Sequence, residues 1–155
     1  MIEVDQCLEK ELGNDLNFNT QEIEDIILGM KASYSHTITK SDIETFADLS
    51  GDHNPVHVND VYAETSKFGK RIAHGLLSAS FFSGLFGTQL PGPGCLYVSQ
   101  NLKFRRPVFI GDTVVAEVEV IKLDVKRRRV FFSTVAQVGG KTVITGEAEI
   151  VIPER

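Results

Sequence analysis

The segment from Gly75 to Leu90, GLLSASFFSGLFGTQL, is apolar nearly all the way round. Leu76, Leu77, Phe81, Phe82, Leu85 and Phe86 keep to no single stripe, so a helix here has no face that prefers water and is expected to be buried. The stretch is broken by Ser78, Ser80, Ser83, Gly84 and Gly87, and at 16 residues it is shorter than the ~20 apolar residues that cross a bilayer. Pro91, Gly92, Pro93 and Gly94 stop it. Something must therefore surround this helix, and the chain that follows supplies strands. Cys95 to Phe104 reads as the first, followed by a turn at Gly111-Asp112. In Thr113 to Leu123, Val114, Ala116, Val118 and Val120 alternate with Glu117 and Glu119. A basic turn (Lys126, Arg127, Arg128, Arg129) leads to Val130, Phe132, Thr134, Ala136 and Val138 at period two. Gly139-Gly140 is a hairpin signal, and a last strand runs from about Thr142 to Ile152. The pattern predicts an α+β fold: an antiparallel sheet wrapped around one long central helix.

Upstream the signals are weaker. Residues 1–30 hold eight acids against one base, and we read them as an acidic N-terminal extension, with a short helix near Thr20–Leu28 capped by Thr20. Residues 31–155 form the domain proper; Lys31 to Thr39 is a candidate strand. Ser41 and Glu44 have the spacing of a capping box for a helix through about Leu49, with Ile43, Phe46, Ala47 and Leu49 as its apolar face. The overall charge of −5 argues against a nucleic-acid binder. The extension alone carries −7, however, and the fifteen bases and thirteen acids of the remainder leave it at +2, compatible with a small anionic ligand. Cys7 and Cys95 are too few for a disulfide framework, and the opening MIEVDQCLEK lacks a secretion signal, so a cytoplasmic, membrane-free protein is expected.

The chemistry concentrates between the two helices. His53, His57 and His74, three of the four histidines, fall within 22 residues. In Ser50-Gly51-Asp52-His53-Asn54-Pro55-Val56-His57, Pro55 fixes its own φ and pushes Asn54 towards an extended conformation, which predicts a shaped turn rather than a helix. Such a turn can aim Asp52 and His57 at one water molecule for acid–base chemistry. The alternative is that Asp52 only caps backbone N–H groups and His57 only packs. A metal site of His53 and His57 with Asp52 or His74 runs against Pro55, since i, i+4 ligands share a face only on a helix; no metal is expected. His74-Gly75 opens the apolar helix, whose first N–H groups lack partners, and Gly75 has no side chain to keep a ligand oxygen away. By itself, Gly75 equally fits a position chosen for close packing. Ser78, Ser80 and Ser83 lie in no nucleophile elbow and read as small residues that let the helix nestle in the sheet, and no phosphate-binding glycine loop occurs. The basic clusters Lys103/Arg105/Arg106 and Lys126 to Arg129 are solvated charge or contacts for a phosphorylated ligand.

Three segments, FADLSGDHNPVHVNDVYA (Phe46–Ala63), RIAHGLLSASFFSGL (Arg71–Leu85) and PVFIGDTV (Pro107–Val114), resemble the R-specific enoyl-CoA hydratases of the MaoC-like dehydratase family, over roughly Gly29 to Pro153. The resemblance implies a hotdog fold and a homodimer. It implies a trans-2-enoyl-CoA substrate hydrated reversibly to the (R)-3-hydroxyacyl-CoA, with coenzyme A part of the substrate and no separate cofactor. It makes Asp52 and His57 the catalytic pair and gives the thioester oxygen to the Gly75 N–H. Asn54, His74 and Ser83 become supporting residues, and Phe86, Lys103, Arg105 and Arg106 candidate substrate contacts. We favour Asp52 as base and His57 as proton donor. Phe86 and its bulky neighbours point to a short or medium acyl pocket. Three rivals share the fold: a dehydratase acting on acyl carrier protein thioesters, a hotdog thioesterase and a non-catalytic acyl-CoA binding subunit.

Overall fold

A computed structural model of the protein describes residues 20–154. In chain order the elements are β1 (Lys31–Thr37), α1 (Lys40–Ser50), α2 (Pro55–Val58), α3 (Asp60–Thr65), α4 (Gly75–Thr88), β2 (Leu96–Phe104), β3 (Thr113–Asp124), β4 (Arg129–Val138) and β5 (Lys141–Val151). The strands form one antiparallel sheet in the order β1-β3-β4-β5-β2. Helix α4 packs against all five of them, the helix-in-sheet arrangement expected from the sequence. Irregularities between Tyr97 and Ser99, Val120 and Lys122, and Ala136 and Gln137 interrupt the ladders, the device by which a sheet bends.

The alternation on β3 and β4 sets which face meets the helix. Val114, Ala116, Val118, Val120, Val130, Phe132 and Ala136 are all buried, with Phe82, Leu85 and Phe86 of α4 against them. Gly139 and Gly140 both take positive φ in the tight β4–β5 turn, so the expected hairpin forms there.

Several local expectations are corrected. The cap of α1 is Thr39, not Ser41: its hydroxyl accepts from the Asp42 N–H while Asp42 accepts from the Thr39 N–H. Leu49 is fully out in solvent, so the buried face of α1 rests on Ile43 and Ala47. The segment after Pro55 is helical after all, because proline at the first helical position loses only an N–H that has no partner there anyway. Thr20 caps no helix. Its hydroxyl donates to the Pro93 carbonyl, and the helical turn that follows, Ile23–Asp25, has Glu22 at its N-cap. Residues 1–19 of the acidic extension, Cys7 included, lie outside the described residues.

The largest correction concerns α4. Leu77, Ser78, Phe82, Leu85 and Phe86 are buried, but Leu76 (58% exposed), Ser80, Ser83, Gly84 and Gly87 form an open stripe. The sheet of one chain covers one side of the helix only. Apart from Leu76 the uncovered side is made of small residues, which is why the segment reads as uniformly apolar without being uniformly buried.

Candidate active site

Helix α1 ends at Gly51, whose left-handed φ of 78° turns the chain sharply while its N–H still bonds the Ala47 carbonyl. Short-range bonds then shape the next residues. The Asp52 N–H donates to Ser50 Oγ, the Asn54 N–H to Asp52 Oδ1 (3.2 Å) and the Val56 N–H to Asn54 Oδ1. Asp52 therefore commits one oxygen to the turn and leaves Oδ2 towards the histidines, 3.9 Å from His74 Nε2. Asn54 lies outside the cleft and caps α2, the helix that carries His57.

His57 is fixed from two directions. Its Nδ1 sits 2.8 Å from the Ile72 carbonyl, which can only accept, so Nδ1 carries the proton and neutral His57 presents a lone pair on Nε2. Arg71 Nε donates to the His57 carbonyl at 2.5 Å, with Asp60 3.8 Å from the buried guanidinium. His74 Nε2 donates to the Asp52 carbonyl at 2.9 Å, and the two imidazole rings lie 3.9 Å apart. Burial holds the His57 imidazole below its ordinary 6.5. The Ile72 carbonyl opposes this, the His74 ring adds to it and the Asp52 carboxylate opposes it.

These groups face a cleft of about 640 Å³ walled by Phe46, Ile72, Leu76, Phe104, Val108 and Ile144, with Gly75 at the start of α4 in the same wall. The volume lies in the range of small-ligand sites. Arg105, Arg106 and Lys67 line it and supply positive charge. A Cβ on Gly75 would stand 2.6 Å from two ring carbons of Phe104, so any side chain here must displace that half-exposed ring.

Asp52, His57, His74, Gly75, Arg105 and Arg106 are thus brought to one cleft. Ser83, Phe86 and Lys103 are not. Ser83 faces outward on the open stripe of α4, and Phe86 is packed among Phe132 and Tyr97 in the core. Lys103 is exposed on β2. The basic β3–β4 turn is also elsewhere: Arg128 pairs with Glu22 and Glu24, and Arg129 with Glu149. His53 turns away towards Asp48. The residues that can approach a cation are instead Asp52, His57 and His74, with one ligand atom each lying within 4.8 Å of the others. One nitrogen of each of these two rings is already committed to a carbonyl. Sequence reasoning missed Lys67, Phe104 and Arg71. Only Arg71, a charge three residues before His74-Gly75, had a signal, and its target, a main-chain carbonyl, is invisible in a sequence.

The model of the MaoC like domain matches residues 26–145 of the chain. The chain belongs to the MaoC-like family. It is 54% identical over 132 residues to the (R)-specific enoyl-CoA hydratase of Rhodospirillum rubrum, covering 85% of this chain and 92% of that one. It is 43% identical over 132 residues to the 3-hydroxybutyryl-CoA dehydratase of Methylorubrum extorquens, covering 85% and 84%. Among solved structures, the (R)-hydratase from Aeromonas caviae involved in PHA biosynthesis superimposes with a TM-score of 0.82 at 42% identity, covering 84% of this chain and 99% of that one. The hotdog fold expected from the resemblance is therefore the fold of this MaoC-like chain.

Proposed function

We propose that this MaoC-like protein hydrates trans-2-enoyl-CoA to (R)-3-hydroxyacyl-CoA, and catalyses the reverse dehydration. The single observation that carries the reading is the convergence of Asp52, His57 and the Gly75 N-terminus of α4 on one cleft. Names attached to relatives of 43–54% identity agree with it. The bond to Ile72 changes the assignment of the pair. A neutral His57 with its lone pair on Nε2 is the base, and Asp52 orients the water and steadies the imidazolium that forms. As water oxygen bonds Cβ, His57 takes one proton, the C=C electrons move onto the thioester, and the Gly75 N–H meets the charge on its oxygen. His57 then returns the proton to Cα on the same face, so atoms and charge balance.

Proton transfer and charge stabilisation complete the reaction, so no metal or separate cofactor is part of the proposal. Rates unchanged after exhaustive chelation support this, and a loss restored by added Zn²⁺ contradicts it. Arg105, Arg106 and Lys67 at the cleft suit the phosphates of coenzyme A. We read the activity as cytoplasmic, on the ground that such multiply charged thioesters do not cross membranes unaided. Among the described residues no helix is long and apolar enough to span a membrane.

A homodimer belongs to the same reading. Edge strand β2 (LYVSQNLKF) has no proline and a single charge, Lys103, and exposes Leu96, Tyr97 and Val98. An unprotected edge of this kind pairs with a second copy. Light scattering should give twice the chain mass, and Val98→Lys should give a monomer. The activity itself is tested with enoyl-CoA thioesters of increasing length, with the chirality of the product determined. An (S) product, or thiol release from saturated acyl-CoA without hydration, overturns the reading.

A further inference from the structure

The first turn of α4 contains a hydroxyl that the mechanism above does not use. Ser78 is 1% exposed, its Oγ has no hydrogen-bond partner, and the residue lines the cleft. This is not the habit of helical hydroxyls in this protein. Ser50 Oγ donates to Phe46 O at 2.6 Å, Ser80 Oγ to Leu77 O at 2.6 Å and Thr88 Oγ1 to Gly84 O at 2.7 Å. A buried hydroxyl without a partner is destabilising, so a fold that merely needed a small residue would be better served by alanine. Ser78 stands one turn after Gly75, and helical side chains lean towards the helix N-terminus. Its hydroxyl therefore leans over the turn that holds the Gly75 N–H.

We propose that Ser78 is a catalytic residue whose hydroxyl donates a second hydrogen bond to the substrate's thioester oxygen, alongside the Gly75 N–H. The proposal rests on the hydration reading and deepens it. No proton leaves Ser78. Its hydrogen bond strengthens as the C=C electrons move onto that oxygen, and relaxes when Cα is protonated. A single donor leaves one lone pair of the developing oxyanion without a fixed protein partner, and a second donor of this kind is worth a factor of about 10²–10³ in rate.

The test compares wild type with Ser78→Ala, Ser78→Cys and Ser78→Thr in two assays. One is enoyl-CoA hydration; the other is the infrared carbonyl band of bound butyryl-CoA, a saturated thioester that cannot be hydrated. Ser78→Ala is expected to lower kcat by about 10² with KM nearly unchanged, and to move the carbonyl band back towards its value in free butyryl-CoA. Folding stability should hold or rise in this variant, since an unpaired buried hydroxyl has been removed. Ser78→Cys keeps the packing with a poor donor and should behave like Ser78→Ala, whereas Ser78→Thr should recover most of kcat. A Ser78→Ala enzyme within about twofold of wild-type kcat, or one with an unmoved carbonyl band, overturns the proposal. If wild type hydrates nothing yet loses the band shift on Ser78→Ala, the hydroxyl contact stands and the hydration reading falls.

Discussion

Replacing Gly75 by alanine separates two reasons for a glycine at the head of α4. An added Cβ would lie 2.6 Å from Cδ1 and Cε1 of Phe104, 0.8 Å short of the 3.4 Å at which ordinary contact begins. Overpacking of that size typically costs about 1–3 kcal/mol. Phe104 is half exposed, so its ring can swing partly clear and the lower end of that range applies. The strain should vanish once the ring is gone. In a urea-denaturation cycle, Gly75→Ala in a Phe104→Ala background is expected to cost nothing further, a coupling of about 1 kcal/mol. Activity should behave differently. The new methyl still stands beside the N–H proposed to receive the thioester oxygen, so the double variant should stay down in kcat by about 10². Full recovery of hydration in the double variant, followed as loss of enoyl-thioester absorbance, would show that Gly75 is glycine for packing alone. Strictly additive stabilities would refute the steric argument instead.

Three further outcomes are expected. Asp52→Asn and His57→Ala should each lower hydration by about 10² or more with circular dichroism unchanged. With His57 proposed as a neutral base and held by burial below its ordinary 6.5, kcat/KM should fall only on the acid side, along a limb below that value; Asp52→Asn, which removes a group that raises His57, should move what remains of the limb lower still. Gly146→Ala should destabilise by about 3 kcal/mol in thermal or urea melts, because a Cβ there would collide with the Asn101 main-chain carbonyl across the β2–β5 ladder, which cannot swing aside.

The sequence by itself determined the parts whose physics is local or periodic. Alternation on Thr113–Asp124 and Arg129–Val138 fixed which residues face inward, and Gly139-Gly140 fixed the hairpin, because period two and positive φ leave few alternatives. The turn from Ser50 to Asn54 was legible for the same reason, since the side-chain bonds that shape it span two residues each, whereas the helix at Pro55–Val58 and the bonds from Arg71, Ile72 and His74 that hold the segment in place were not. What needed the tertiary structure was everything set by a partner far along the chain. The tautomer of His57 depends on a carbonyl 15 residues away, and Phe104 reaches Gly75 only because β2 folds back along α4. Apolar content said that α4 avoids water but not which side the sheet would cover; Phe86 went into the core and Ser83 to the open stripe on that decision alone. Ser78 and Ser80 are two residues apart in one helix and alike as letters. The sheet buries the first against the cleft without a partner and leaves the second outside bonding its own backbone, and that difference in surroundings is what singles out Ser78 for the proposed role.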